Sequence, residues 1–152
     1  MDIRAATAAD VPALRAVGVA AWHAAYAGVL TPAEVANGIA EFFNAYSLGA
    51  AVRSGRMLVA EHDAALVGLL ESDRPAPERA VIWKVYVAPA AQRRGVGRAL
   101  VEHYLASVDA PEVLVEHDPR AQGAAAFFER LGFAVAEVEA GTVRRVRAAP
   151  RR

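Results

Sequence analysis

Apolar residues that recur every three or four positions fill the first third of the chain. One stripe covers residues 11–26 and follows Thr7 and Asp10, which have the spacing of a capping box. Thr31 and Pro32 then repeat the start signal, as an N-cap and the first helical position, ahead of a second stripe. The pattern therefore predicts two helices before the main sheet.

Short apolar runs in the rest of the chain predict strands. Residues 80–87 are almost continuously apolar, as in a central strand that is covered on both faces. Residues 73–79, which include two prolines, are predicted as a loop. Further strands are predicted at residues 57–60, 65–70, 113–115, 133–138 and 142–146, the first two as a hairpin. Helices are predicted from Val96 and from Asp118-Pro119, the latter ending at Gly132.

Length and composition add limits to this pattern. The chain has 152 residues, of which 55% are hydrophobic and 22% are charged, so we expect one domain with a sizeable core. Its 17 basic and 17 acidic residues cancel, which gives no reason to expect a nucleic-acid partner or an anionic membrane. There is no cysteine, which excludes a disulfide scaffold and a thiolate zinc site. The histidines lack ligand spacing, and we expect no metal.

The first residues lack the pattern of a signal peptide, and no apolar run approaches the ~20 residues that span a bilayer. The expected location is the cytoplasm. The expected domain covers residues 1–147, with a loose tail at 148–152.

The segment from Val85 to Leu100 is the most informative for function. A buried strand ends, a loop with Arg93 and Arg94 follows, and two glycines stand where an amphipathic helix begins. Free backbone N–H groups and the positive end of the helix dipole would then meet at one point, which predicts an anion site suited to a diphosphate. The alternative is a turn that uses glycine only for tightness.

Two better-known phosphate motifs do not fit this segment. A dinucleotide-binding fingerprint requires a third glycine where Leu100 stands, and a P-loop requires a Gly-Lys-Ser/Thr sequence that the chain lacks. Nucleotide hydrolysis is therefore disfavoured.

The motif Gln92-x-x-Gly95-x-Gly97 after Val85-Tyr86-Val87-x-Pro89 resembles the signature loop of the GNAT superfamily of acyl-CoA-dependent N-acyltransferases. The segment from Ala124 to Phe133 is similar to the helix-to-strand signature that follows in that superfamily. With the N-terminal helix, the resemblance covers nearly the whole chain.

The resemblance implies an α/β fold with a central mixed, mostly antiparallel sheet, a splayed parallel strand pair and flanking helices. It implies that acetyl-CoA is the co-substrate and that its pantetheine arm lies between the strands ending at Val87 and Glu116. The backbone at Val87 would hold the thioester carbonyl. The residues implied in cofactor binding are Val85, Val87, Gln92, Arg93, Arg94, Gly95, Val96, Gly97 and Arg98.

Three positions depart from the family pattern. Phe128 stands where a tyrosine often protonates the departing thiolate, Ala121 where an asparagine is common, and Val81 where an acidic general base is frequent. Since an amine acceptor must lose a proton, the nearest candidates by chain order are Glu116, His117 and Asp118. The alternative is that these three form only a solvated strand end and a helix cap.

Trp22, Tyr26 and Trp83 are candidates for the acceptor pocket, because the first helix and the central strand border the acceptor side in the family. Core packing is the alternative for all three. The expected activity is transfer of an acetyl group from acetyl-CoA to a primary amine of a small molecule or peptide. An acyl-CoA sensor with little catalysis and a structural domain without cofactor are the alternatives. A homodimer is expected only because dimers are common in the family.

Overall fold

The structure, a computed structural model, describes residues 1–148. Its strands are β1 (Asp2–Ala5), β2 (Met57–His62), β3 (Ala65–Ala76), β4 (Arg79–Val87), β5 (Glu112–His117), β6 (Ala134–Glu139) and β7 (Thr142–Ala148). Its α-helices are α1 (Val11–Tyr26), α2 (Pro32–Phe42), α3 (Ala45–Arg53), α4 (Val96–Ser107) and α5 (Ala124–Arg130). Of the predicted tail, Ala148 ends β7, and residues 149–152 lie outside the described residues.

The strands form one sheet in the order β1-β2-β3-β4-β5-β7-β6. All neighbouring strands are antiparallel except β4 and β5, which are parallel and are connected through α4. The predicted mixed, mostly antiparallel sheet with one parallel pair is therefore confirmed.

Helices cover both faces of this sheet. Leu69 and Leu70 show why, because successive side chains of a strand point to opposite faces. Leu69 packs in the core beneath α1 and α3, whereas Leu70 packs in the core beneath α4 and α5. A third cluster, around Trp22 and Phe43, joins α1 and α2 to the end of β4.

Three elements differ from the sequence prediction, one by its presence and two by their bounds. A third helix, α3, lies between α2 and β2. Asn44 caps its start, with Asn44 Oδ1 accepting from Ser47 N–H at 2.8 Å. Strand β3 extends to Ala76 through the predicted proline loop. Helix α5 begins at Ala124 and not at Asp118, which accepts from the Arg120 N–H at 2.8 Å within a turn.

The parallel pair separates partway along its length. In the β3–β4 ladder, Lys84 pairs with Glu71 and Ile82 with Ser72, so Trp83 is an extra, bulged residue in β4. The β4–β5 ladder ends at the Ile82–Val115 pair, immediately before this bulge. Beyond it the two strands leave a gap, which is the predicted splay. Among the residues described, no helix is long and apolar enough to span a bilayer.

Candidate active site

A cavity of about 850 Å³ occupies the gap between β4 and β5 and is lined by residues of helices on both faces of the sheet. Of the residues predicted for cofactor, proton transfer and acceptor, all line this cavity except Arg94. Arg94 is exposed on the loop before α4. The structure thus brings together residues from four separate parts of the chain.

The backbone of Val87 faces the gap. Ala88 donates its N–H to Val67 O at 2.9 Å, and the hydrogen-bonding direction alternates along an antiparallel strand. The N–H and C=O groups of Val87 therefore point away from β3, and so do those of Val85. The side chain of Gln92 donates from Nε2 to the Val87 carbonyl at 3.1 Å, which leaves the Val87 N–H as the donor that faces the cavity.

The loop before α4 ends in an uncapped helix N-terminus. Gly95 is the N-cap residue, with φ at +82°, and no side chain caps the helix. The first hydrogen bond inside the helix joins Ala99 N–H to Gly95 O at 2.9 Å. The N–H groups of Val96, Gly97 and Arg98 therefore lack helical acceptors, as the first turn of every helix does. Together with the helix dipole they form an electropositive point at the cavity wall.

Gly97 has a packing role that the sequence analysis did not anticipate. A Cβ at this position would lie 3.2 Å from the ring of Phe127 and 3.5 Å from Val87 Cγ2. The missing side chain thus lets α5 and the end of β4 approach the start of α4. At the rim, Arg93 is exposed with φ at +65°, and Arg98 pairs with Glu102 at 2.7 Å.

The three candidates for proton transfer already have partners. Glu116 Oε1 accepts from Arg144 Nη2 at 2.7 Å. Asp118 pairs with Arg120 at 2.9 Å, and this guanidinium holds the pKa of the Asp118 carboxyl below its ordinary value. Both are therefore ion-paired carboxylates.

His117 uses both ring nitrogens. Its Nε2 accepts from Arg145 Nε at 3.0 Å, because a guanidinium can only donate, and its Nδ1 lies 3.1 Å from Asp118 O. The ring is thereby assigned as the neutral tautomer with hydrogen on Nδ1. To accept a proton, His117 would first have to release Arg145, so a role as general base stays a prediction.

Trp22 and Tyr26 belong to a buried aromatic cluster and also line the cavity. Their ring centroids are 4.5 Å apart, and Trp22 contacts Phe42 at 5.6 Å and Tyr86 at 6.2 Å. The core and pocket interpretations therefore both describe these residues. The indole Nε1 of Trp22 is buried without a hydrogen-bond partner among the described residues.

Tyr86 is a cavity residue that the sequence analysis missed. It lies between Val85 and Val87, so strand alternation places it on the opposite face, toward α1. Burial raises the pKa of the Tyr86 hydroxyl, and burial together with the charge of Asp118 raises that of Tyr26. Strand alternation was the signal that could have found Tyr86.

The loop between β5 and α5 closes one side of the cavity. Gln122 donates from its backbone N–H to Ala25 O at 3.2 Å and from Nε2 to Ala27 O at 3.0 Å, which ties this loop to the end of α1. Two of the positions that depart from the family pattern, Ala121 and Phe128, line the cavity. The ring of Phe128 stacks on His117, with centroids 5.8 Å apart. Within residues 1–148, no cluster of three or more histidine or acidic side chains could hold a metal ion.

Comparisons with known proteins agree with this geometry. The family model described as an acetyltransferase (GNAT) domain matches residues 53–135, a little over half of the chain. The 5-NmdU N-acetyltransferase of Pseudomonas phage PaMx11 is 33% identical over 93 residues, which are 60% of this chain and 66% of the phage protein. The match thus spans just under two thirds of that relative's length.

Solved structures share the fold at low sequence identity. The PaiA N-acetyltransferase of Thermoplasma acidophilum, solved in complex with coenzyme A, superposes with a TM-score of 0.90 at 19% identity, covering 97% of this chain and 98% of that one. Rv2747 of Mycobacterium tuberculosis, solved with CoA and NLQ, gives 0.71 at 22% identity, covering 97% and 99%. The family model, with a fold that agrees along nearly the whole length, shows that this chain belongs to the GNAT family of acetyltransferases.

Proposed function

We propose that the protein is an N-acetyltransferase that moves an acetyl group from acetyl-CoA directly to a primary amine of a small molecule or peptide. The observation that carries the proposal is the convergence of two donor sets on one cavity. The Val87 N–H faces it from the end of β4, and the uncapped N-terminus of α4 faces it from the loop.

These residues fit coenzyme A in two ways. The N–H groups of Val96, Gly97 and Arg98 suit a diphosphate, because a helix N-terminus provides both donors and positive potential. At the tip of the loop, no heavy atom other than those of neighbouring residues lies within 4 Å of a Cβ placed on Gly95, so this backbone is open to a ligand. We therefore assign the pyrophosphate to residues 92–98 and the pantetheine arm to the gap beside Val85 and Val87.

Bound acetyl-CoA supplies a thioester as the acyl donor. The chain then acts mainly by position and by polarity. The Val87 N–H donates to the oxygen on which negative charge develops, and one such donor contributes about 3 kcal/mol of transition-state stabilisation. The amine approaches from the α1 face, where Tyr26, Tyr86 and Asp118 line the cavity.

The relatives support the chemistry of this proposal. The phage protein is named as an N-acetyltransferase, and both PaiA and Rv2747 were solved with coenzyme A. Their ligands agree with a cavity whose wall is formed by the signature loop.

The candidates for proton transfer are already bonded to arginine side chains, and this favours a second function. Glu116 and Asp118 are ion-paired, His117 is held by Arg145, and Phe128 stands at the usual tyrosine position. A protein with this arrangement could hold acyl-CoA and report its presence without fast turnover. The second candidate is therefore an acyl-CoA sensor.

Two measurements test the proposal in sequence. We expect saturating acetyl-CoA and CoA, but not NAD or ATP, to raise the melting temperature. A ligand at 100 times its dissociation constant adds about 2.7 kcal/mol, or roughly 5–10 °C in a domain of this size. Release of CoA in the presence of an amine panel, with acetylated product detected by mass spectrometry, then separates enzyme from sensor. No rise with acetyl-CoA would contradict both functions.

A further inference from the structure

We propose that the acceptor is a primary amine attached to a flat, uncharged ring, and that the ring lies against Trp83 and Phe42. This inference rests on the proposed acetyltransferase function and names the substrate class of the same site. It concerns the acceptor half of the cavity, defined here as the part lined by α1, the end of α2, residues 83–86 of β4 and the end of β5.

Two large aromatic side chains are left open in this half. Trp83 is 44% exposed and Phe42 is 39% exposed, although both line the cavity. Trp83 owes its position to the bulge, which removes it from register with β3, just where the β4–β5 ladder has ended. Open aromatic faces on a cavity wall are typical of a site that binds an apolar or aromatic group.

Three rings, those of Phe42, Trp22 and Tyr86, form a continuous wall, and Trp83 adds a fourth ring to the cavity lining. The ring centroids of Phe42 and Trp22 are 5.6 Å apart, and those of Trp22 and Tyr86 are 6.2 Å apart. Tyr86 precedes Val87 in the strand, so the wall ends beside the Val87 backbone. A ring placed against this wall would extend from the cavity mouth toward the proposed reaction centre. The wall offers its faces to planar groups, and aromatic pairs gain from offset or edge contacts beyond the area that they bury.

The charges in this half are already neutralised. Lys84 Nζ lies 2.6 Å from Glu71 Oε2, Asp118 is paired with Arg120, and Glu116 is paired with Arg144. Among the described residues that line the acceptor half, every charged side chain thus has an opposite charge beside it. A second ammonium, as in a polyamine, or a carboxylate, as in an amino acid, would lose water without gaining an ionic partner.

The first test compares amines of similar size. The probes are 2-phenylethylamine, 2-cyclohexylethylamine, spermidine and glycine, assayed for CoA release at saturating acetyl-CoA, with rates referred to the concentration of free base. We expect kcat/KM to be highest for 2-phenylethylamine, by about fivefold or more over its puckered cyclohexyl counterpart. Equal or better use of spermidine, glycine or the cyclohexyl amine would overturn the inference.

The second test changes the wall. Trp83→Leu and Phe42→Leu should each reduce the preference for the phenyl over the cyclohexyl amine several-fold while leaving the KM for acetyl-CoA unchanged. Tyr46→Leu is the matched control, because Tyr46 is an 82% exposed aromatic residue on α3 that does not line the cavity. A preference that survives both wall substitutions would contradict the inference.

Calorimetry separates this inference from the proposed function. Binding of 2-phenylethylamine to the CoA-loaded protein needs no turnover, and we expect Trp83→Leu to weaken it. If CoA binds and 2-phenylethylamine does not, the inference fails and the proposed function stands. If 2-phenylethylamine binds in the wall-dependent manner but no amine is acetylated, the transferase function fails, and the inference that this amine is an acceptor fails with it. If CoA itself does not bind, the proposed function fails.

Discussion

At the scale of single residues, glycines determine how closely the aromatic side chains pack around the acceptor half. A Cβ on Gly38 in α2 would lie 2.3 Å from the indole of Trp22, and a Cβ on Gly18 in α1 would lie 2.2 Å from the ring of Phe43. Real Cβ atoms do not approach so closely, so both rings occupy space that only glycine leaves open. The position of Trp22 in the cavity wall thus depends on a residue in another helix.

Gly38→Ala should destabilise the protein by about 1–3 kcal/mol, because the new methyl group must displace the buried indole of Trp22. Gly49→Ala is the matched control inside α3, where the nearest atom is the flexible end of Arg53 at 3.2 Å. There the better helix propensity of alanine should raise the free energy of unfolding by roughly 0.5–1 kcal/mol. Urea unfolding of the two variants measures the change in the free energy of unfolding. A change of the same sign in both variants would contradict the close packing of Gly38 against Trp22.

Gly95→Ala tests the backbone of the signature loop. Its φ of +82° is left-handed, so alanine there costs about 1–2 kcal/mol of strain. The control is Gly55→Ala, in the turn before β2, with φ at +69° and equally open space around its Cβ. The melting temperatures of both variants should fall by a similar amount. Only Gly95→Ala should weaken CoA binding, by roughly tenfold if one hydrogen bond to a charged group is lost.

Isothermal titration with CoA decides this comparison. Equal affinities in the two variants would separate the loop from cofactor binding and leave its glycine as a requirement of the turn alone.

At the scale of elements, the sequence predicted those with strong periodicity or clear caps. Helices α1, α2 and α4 follow their apolar stripes, and β4 follows its continuous apolar run. Helix α3 was missed because it is short and rich in alanine, so its start depended on one capping side chain, Asn44. Strand β3 runs through Pro75 because this residue lies in the irregular stretch between the Asp73–Val81 and Ala76–Arg79 pairs, beyond the end of the β2 ladder, where no ladder pair needs its N–H.

The junction between β1 and α1 predicts a pH effect on stability. Asp10 accepts from Arg4 Nη1 at 2.8 Å and from Thr7 N–H at 2.7 Å, and these contacts lower the pKa of its carboxyl to about 2. A lowered pKa contributes stability above the ordinary value near 3.8, and this contribution is lost as the pH falls through 2. The free energy of unfolding of Asp10→Asn should thus fall below that of the parent protein at pH 7, and the gap should close between pH 4 and 2.

Melting curves across this pH range provide the measurement. Asp63→Asn is a suitable control, because Asp63 lies in the β2–β3 turn and its side chain is 90% exposed. A gap for Asp10→Asn that stays constant from pH 7 to 2 would be inconsistent with the Arg4 contact as its source.

At the scale of the whole molecule, the candidate site depends on contacts that sequence patterns do not contain. The gap follows from the bulge at Trp83 and from the early end of the β4–β5 ladder. One side of the cavity is formed by the loop that Gln122 holds in place, through hydrogen bonds to the carbonyls of Ala25 and Ala27, almost a hundred residues earlier. The resemblance of the signature loop implied the splay, whereas hydrophobic periodicity alone predicted only the strands.

The same long-range contacts explain why the proton-transfer residues were hard to assign. Glu116 and His117 are the last two residues of β5, and their partners Arg144 and Arg145 come from β7, which pairs with β5 in the sheet. The order of residues along the chain placed the candidates near the gap. It did not show that both would already be engaged.

The most direct test of the central claim is a titration of the isotope-labelled protein with acetyl-CoA, followed by backbone amide NMR. We expect the largest shifts at the amides of Val87, Val96, Gly97 and Arg98, with little change at Gly55, which does not line the cavity. Shifts concentrated there would identify the end of β4 and the N-terminus of α4 as the acyl-CoA site. Unchanged amides in these residues, or shifts centred elsewhere, would contradict the assignment of the acyl-CoA site to the end of β4 and the start of α4.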